Sequence, residues 1–169
     1  ILQPYGLQRI EEADANLQSM AGDPHQRRQL AAILPALLEG IGKTADPDLA
    51  LIQWERWLAS GVSRSAVLEY LRSAPRMLDL VSTIFGNSNS LAAILVRDPL
   101  LLYWLAQQKV LSTAPTKVGM ERAVRQSLES VVATELKLDG LRRFRHREML
   151  RIGVRDLLRH RLGVDEPHQ

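Results

Sequence analysis

The apolar residues of this chain recur every three or four positions, which is the spacing of one face of an α-helix. A long example follows Asp23 and consists of Leu30, Ile33, Leu34, Leu37, Leu38 and Ile41. Segments of four to eight alternating, β-branched residues between turn signals, which would indicate strands, are not found. We therefore predict an all-α fold, an irregular multi-helix bundle of about eight helices with a long C-terminal helix or helical hairpin.

Aspartate, proline and glycine residues predict where several of these helices begin and end. Asp23 and Asp46 each precede a proline, a pattern typical of a capped helix N-terminus. Gly86 is predicted to end the fifth helix, because glycine readily adopts the positive φ of a helix C-terminus. Pro35 lies inside the second helix and lacks an amide hydrogen, so we expect a kink or a break near Ile33.

The helical pattern is longest near the C-terminus, from about residue 117 to residue 161. A single helix of about 45 residues would be longer than a small domain is wide, so we expect a bend at Asp139-Gly140 or a projecting arm. We accordingly divide the chain into an N-terminal helix or lead-in (1–22), a helical domain (23–162) with a long basic arm (about 117–161), and a tail (163–169). Because the sequence opens without Met, we expect it to be a piece of a longer polypeptide.

The composition is that of an ordinary globular domain. Of 169 residues, 46% are hydrophobic and 24% are charged, and the longest apolar runs are too short to cross a bilayer, so no membrane partner is expected. The chain has 0 cysteines, which excludes disulfides, thiolate metal sites and a cysteine nucleophile. This composition favours a cytoplasmic protein.

The net charge of +3 is unevenly distributed, because residues 137–161 contain nine Lys or Arg and three acids while the remainder of the chain sums to −3. Within this segment five arginines recur every four residues and would form a ridge on a helix: Arg143, Arg147, Arg151, Arg155 and Arg159. Three interpretations stay open: a solvated face with local pairs such as Asp139–Arg143 and Asp156–Arg159, a docking surface for an acidic partner or neighbouring domain, and a nucleic-acid site. Nucleic acid is the least favoured, because the remainder of the chain is acidic and carries no recognised nucleic-acid motif.

We expect the leucines of the arm to face away from these arginines. The apolar residues placed opposite the ridge are Leu141, Phe144, Leu150, Leu157 and Leu158. The aromatic pairs Trp54 with Trp57 and Tyr103 with Trp104 lie in or beside apolar stripes and are predicted to be core or interface anchors.

Three other patterns suggest chemistry but have simpler explanations. Gly42-Lys43-Thr44 is similar to the end of a phosphate-binding loop, yet Leu37 stands where the first glycine of that loop would be, so a polar helix end is favoured. Asp46-Pro47-Asp48 has the spacing of a metal-binding acid pair, but a helix cap accounts for it. The four histidines show no metal-ligand spacing. We therefore assign no catalytic, cofactor-binding or metal residue.

Three segments, in the same order, resemble the bacterial glutamine synthetase adenylyltransferases, also called glutamate-ammonia-ligase adenylyltransferases. The first and second resemble that family's helical region, and the third resembles the segment that leads into its catalytic domain. They comprise residues 33–39 (ILPALLE) with 45–51 (ADPDLAL) and 54–58 (WERWL), residues 85–91 (FGNSNSL) with 97–101 (RDPLL), and residues 141–158 (LRRFRHREMLRIGVRDLL).

The resemblance implies a parent enzyme that uses ATP and Mg²⁺ to attach AMP to a tyrosine of glutamine synthetase, or to remove it, under the control of a nitrogen-signalling protein. In that family the chemistry belongs to a mixed sheet with a Gly-Ser or Gly-Gly turn and an Asp-x-Asp pair on a following strand. That combination does not occur here, because the sequence has no such turn and Asp46-Pro47-Asp48 is explained as a helix cap. We therefore expect a non-catalytic scaffold or docking region beside a catalytic nucleotidyltransferase domain. The alternative is a stand-alone helical interaction or regulatory module without enzymatic activity.

Overall fold

A computed structural model of the chain describes residues 2–129 and 134–162. The part described contains one short 3₁₀ helix, Gln3–Tyr5, and ten α-helices, and no strand occurs in it. The α-helices are α1 (Ile10–Ala21), α2 (Pro24–Gly42), α3 (Pro47–Ala59), α4 (Arg64–Ser73), α5 (Pro75–Asn87), α6 (Asn89–Arg97), α7 (Leu101–Leu105), α8 (Gln108–Ser112), α9 (Lys117–Glu129) and α10 (Thr134–Leu162). The all-α prediction is confirmed, and the tail predicted at 163–169 lies outside the described residues.

The chain divides into two compact units, Ile1–Leu102 and Tyr103–Gln169. In the first unit α2, α3 and α5 pack against one another, with α1, α4 and α6 around them. Trp54, Trp57 and Phe85 are fully buried. Their ring centroids lie 5.4 to 5.9 Å apart in edge-to-face pairs, a favourable aromatic geometry, so Trp54 and Trp57 are core anchors as predicted.

The predicted helix caps are present. The Asp23 carboxylate accepts hydrogen bonds from the backbone amides of His25 and Gln26, and the Gln26 side-chain oxygen accepts one from the Asp23 amide. Asp46 likewise accepts from the backbone amide of Leu49 at 2.9 Å. These bonds satisfy amides that have no partner inside the helix, which explains why the helices begin at the prolines that follow.

Of the kink or break expected near Ile33, the break is wrong, because α2 continues as a helix through Pro35, and the kink stays a prediction. Pro35 and Ala31, whose carbonyl the proline deprives of a bond, are both exposed, so water can hydrate that carbonyl. The opposite face of α2 buries Ile33, Leu37 and other apolar residues, which favours the unbroken helix.

The prediction that Gly86 ends a helix at positive φ is also wrong. Gly86 lies inside α5, and the positive-φ glycines of the described chain are Gly6, Gly22 and Gly61. Glycine is required at position 86 for a different reason, which is a close approach between α5 and the loop before α3. The Gly86 carbonyl accepts from the Asp46 amide at 3.1 Å, and Thr44 lies directly against the glycine.

In the second unit α9 and α10 form an antiparallel helical hairpin. Gly140 of α10 lies next to Leu128, near the end of α9, whereas Phe144 lines a groove together with Lys117 and Val124, nearer its beginning. Helix α10 therefore runs opposite to α9, and it continues as a helix through Gly140. The expected bend at Asp139-Gly140 is wrong, and the long C-terminal helix of the prediction is confirmed.

Candidate docking surface

Helix α10 carries all five arginines of the predicted ridge. Arg143, Arg147 and Arg159 are exposed, whereas Arg151 and Arg155 are partly buried. Each step of four residues advances about 40° around the helix axis, so the ridge winds from one side of α10 to the other. The five side chains therefore have different surroundings along the helix.

Two of these arginines contact other elements of the second unit, and a third pairs within α10. The guanidinium carbon of Arg147 lies 4.7 Å from the centre of the Trp104 ring, a cation–π arrangement. Arg155 Nη1 donates a hydrogen bond to the carbonyl of Leu111, in α8, at 2.9 Å. Arg151 pairs with Glu148, and only 17% and 14% of these two side chains is exposed. The middle of the ridge thus joins α10 to α7 and α8, and Arg143 is the exposed residue at its start.

One ion pair of α10 differs from the pair expected. Asp139 pairs with Arg142 at 2.8 Å, not with Arg143. The pair is exposed, so it contributes at most a few tenths of a kcal/mol. The pair between Asp156 and Arg159 stays a prediction.

The prediction that the apolar residues of α10 share a single face is also wrong. Leu150 and Val154 are fully buried, but 38% of Leu141 is exposed. Leu141 and Leu150 are nine residues apart, which at about 100° per residue places them on opposite sides of the helix. Likewise 39% of Tyr103 is exposed, so Tyr103 is not buried in the core and its role as an interface anchor stays a prediction, while Trp104 is partly buried beneath Arg147.

An open groove of about 640 Å³ runs between α9 and the first half of α10. Its apolar lining comes from Met120, Val124 and Phe144, and its charged rim has both signs. The complete set of lining residues is Lys117, Met120, Glu121, Val124, Arg125 and Phe144. A shallow groove of this kind offers apolar contact area without converging polar groups that would orient a small molecule.

The residues that suggested other chemistry have structural roles. Lys43 Nζ lies 2.6 Å from Glu39, and the Thr44 hydroxyl donates to the Ile41 carbonyl at 2.7 Å. Among the described residues, no group of three or more His, Asp or Glu side chains is placed to hold a metal ion.

Asp48 has a structural contact that sequence reasoning missed. Its two carboxylate oxygens accept from the backbone amides of Gln8 and Arg9, each at 3.1 Å. These partners lie about 40 positions away in the sequence, so no local pattern could have identified them. Asp48 therefore anchors the segment before α1 to the start of α3. The partners of Arg147 and Arg155 are equally distant in sequence and were missed for the same reason.

Comparison with known proteins supports one family. The profile of the glutamate-ammonia ligase adenylyltransferase family matches residues 78–166. Three curated relatives, each described as a bifunctional glutamine synthetase adenylyltransferase/adenylyl-removing enzyme, match most of this chain. The protein of Mesorhizobium japonicum is 35% identical over 76% of this chain, that of Bartonella quintana is 32% identical over 78%, and that of Neisseria meningitidis is 31% identical over 79%.

The match is extensive for this chain but short for its relatives. The aligned residues cover only 13% to 15% of the relatives' own length. No solved structure matches this chain. None of the helices in the part of the chain described here is both long enough and apolar enough to span a membrane.

Proposed function

This chain belongs to the glutamate-ammonia ligase adenylyltransferase family, and on that premise we propose that it is a helical scaffold and docking region of a glutamine synthetase adenylyltransferase-like protein. Its role is to hold and present surfaces, while AMP transfer or removal takes place in a catalytic nucleotidyltransferase domain of the longer protein. The proposed partners are that domain, glutamine synthetase and a nitrogen-signalling protein. The absence of cysteine fits a cytoplasmic location.

The observation that carries this proposal is that the charged residues resembling a reactive site are already used in holding the fold together. Asp46 caps α3, and Asp48 binds two backbone amides. Lys43 pairs with Glu39. These residues therefore do not fit a site for ATP and Mg²⁺, and we assign both to the catalytic domain. A rigid helical region can still assist such a reaction by positioning a macromolecular substrate.

The first test is chemical. The purified chain is incubated with ATP, Mg²⁺ and glutamine synthetase, and AMP transfer is followed by mass spectrometry while ATP binding is followed by calorimetry. We expect neither transfer nor measurable binding. Either activity would overturn the assignment of the chemistry to another domain.

The second test concerns docking. Arg143 is exposed at the start of the ridge, so Arg143→Glu should weaken binding to a separately produced catalytic domain without unfolding α10. The loss should shrink as salt is raised from about 0.1 M to 1 M, because screening removes the attraction of exposed charges. Arg28→Glu, the same change at an exposed position of α2, is the matched control. Equal affinities for both variants would contradict docking through the ridge.

The gene sequence beyond the codon for Gln169 separates this function from the stand-alone module. A Gly-Ser or Gly-Gly turn followed within a few tens of residues by Asp-x-Asp supports the scaffold of an enzyme. A stop codon at that point supports the module.

A further inference from the structure

One face of α10 presents a row of apolar side chains to solvent. Leu138, Leu141, Met149 and Ile152 are exposed to 48%, 38%, 41% and 47%, and the exposed Arg145 lies in the middle of the row. These five residues are spaced by three, four, four and three positions, which keeps them within about 80° of one another around the helix. We call them the exposed stripe. It runs for about 21 Å, or nearly four helical turns.

The exposed stripe is distinct from the side of α10 that packs within the chain. Leu150 and Val154 are fully buried on the other side of the helix, and Phe144 faces α9. A solvated helix usually has polar residues opposite its buried face, so a second apolar row indicates a surface that another element covers.

The position of Arg145 indicates which kind of element covers the exposed stripe. Leu138 and Ile152 each lie seven residues from Arg145, and Leu141 and Met149 each lie four residues from it. Two copies of the stripe could therefore match their apolar residues in parallel or antiparallel register, but in both registers Arg145 of one copy would meet Arg145 of the other. Because like charges at the centre of an apolar helix pair oppose association, a second copy of this chain is a poor partner.

We propose that the exposed stripe docks an amphipathic α-helix of a different protein, whose apolar face carries an Asp or Glu opposite Arg145. The four apolar residues supply contact area, and the charge pair selects the partner and its register. This inference rests on the proposed docking function and names a second surface of it, separate from the arginine ridge.

The chain itself provides a probe of the required chemistry. The Arg145→Glu variant presents the same apolar row with a carboxylate at its centre. Wild type and variant are mixed in equal amounts at about 100 µM and studied by sedimentation equilibrium. We expect the mixture to form a one-to-one complex with a dissociation constant at least tenfold below that of either protein alone, because only the mixture pairs opposite charges. High salt should weaken this complex.

Two controls test whether the association between wild type and Arg145→Glu takes place through the exposed stripe. Arg143→Glu makes the same charge change about 160° away around the helix and should not pair with wild type. Met149→Ser in both components should abolish the complex, with circular dichroism confirming that the helices are retained. In addition, Arg145→Leu should self-associate, because it removes the repulsion between copies.

The proposal is overturned if the mixture stays as monomeric as its components, or if the Arg143→Glu mixture associates equally well. These outcomes concern the stripe only. The proposed function fails independently, if the chain binds ATP, transfers AMP or ignores the catalytic domain.

Discussion

Thr44 occupies the space that a side chain at Gly86 would need. A Cβ at position 86 would lie 2.2 Å from Thr44 Oγ1 and 2.4 Å from Thr44 Cβ. Such distances require one of the two segments to move. The contact joins α5 to the loop between α2 and α3, and the hydrogen bonds from Ala45 to Asn87 and from Asp46 to Gly86 reinforce it.

Gly86→Ala should therefore destabilise the first unit by about 2 to 3 kcal/mol, as expected for overpacking against backbone-linked atoms. Gly40→Ala is the matched control, because Gly40 is also buried in a helix but its added Cβ would lie 3.2 Å from Ser82 Oγ. There the helical preference for alanine, about 1 kcal/mol, offsets most of the cost. Urea unfolding followed by tryptophan fluorescence measures both variants. Equal losses would contradict the steric explanation.

The next prediction concerns the hydrogen bond of the Trp54 indole. Trp54 is fully buried and donates from Nε1 to Ser82 Oγ at 3.1 Å. Ser82→Ala removes the acceptor and leaves a buried donor without a partner, which should cost about 1 to 3 kcal/mol in the free energy of unfolding. Ser60→Ala, at an exposed helix end, should change it by less than about 0.5 kcal/mol. A Ser82→Ala variant as stable as wild type would show that the Nε1 donor is satisfied in another way.

The bond from Arg155 to the Leu111 carbonyl should control the stability of α8. Arg155→Gln shortens the side chain and should release that carbonyl, at a cost of about 1 to 2 kcal/mol. Hydrogen exchange is the suitable measurement, because it reports on the amides of α8 separately from the first unit. We expect faster exchange in α8 for Arg155→Gln and little change for Arg143→Gln. Similar exchange in both variants would mean that α8 is held by its apolar contacts alone.

Asp48 should control how firmly the segment before α1 is held. Asp48→Ala removes the acceptor of the Gln8 and Arg9 amides, so trypsin should cut after Arg9 about tenfold faster. Asp14→Ala, an exposed acid of α1, is the control. Equal cleavage rates for the two variants would show that Asp48 does not hold the segment before α1.

Patterns among neighbouring residues in the sequence predict much of the fold. Asp23 and Asp46 cap helices because a carboxylate next to the first turn finds free amides within three residues, which is visible in the sequence. The apolar spacing around Trp54 and Trp57 likewise predicts a buried stripe. Such patterns depend on neighbours along the chain, and the structure places these residues as expected.

Contacts between distant segments were not predictable in the same way. Gly86 was interpreted by its conformational freedom, whereas its function is to let Thr44 approach from 42 positions away. The spacing of the α10 arginines indicates their angular positions, but only the tertiary packing determines that Arg147 meets Trp104 and Arg155 meets Leu111. For the same reason the leucines of α10, treated as one face, divide between buried Leu150 and exposed Leu141.

The length of α10 has a mechanical consequence. At about 1.5 Å per residue its 29 residues extend about 43 Å, and the contacts with α8 hold only its second half. Arg155 lies about 32 Å from the start of α10, so a tilt of a rigid helix by about 5° at that residue would displace its start by about 3 Å. A rearrangement at the Arg155–Leu111 contact would therefore displace Leu138 more than Ile152, and the contacts of α10 with α9 and of Arg147 with Trp104 oppose that displacement.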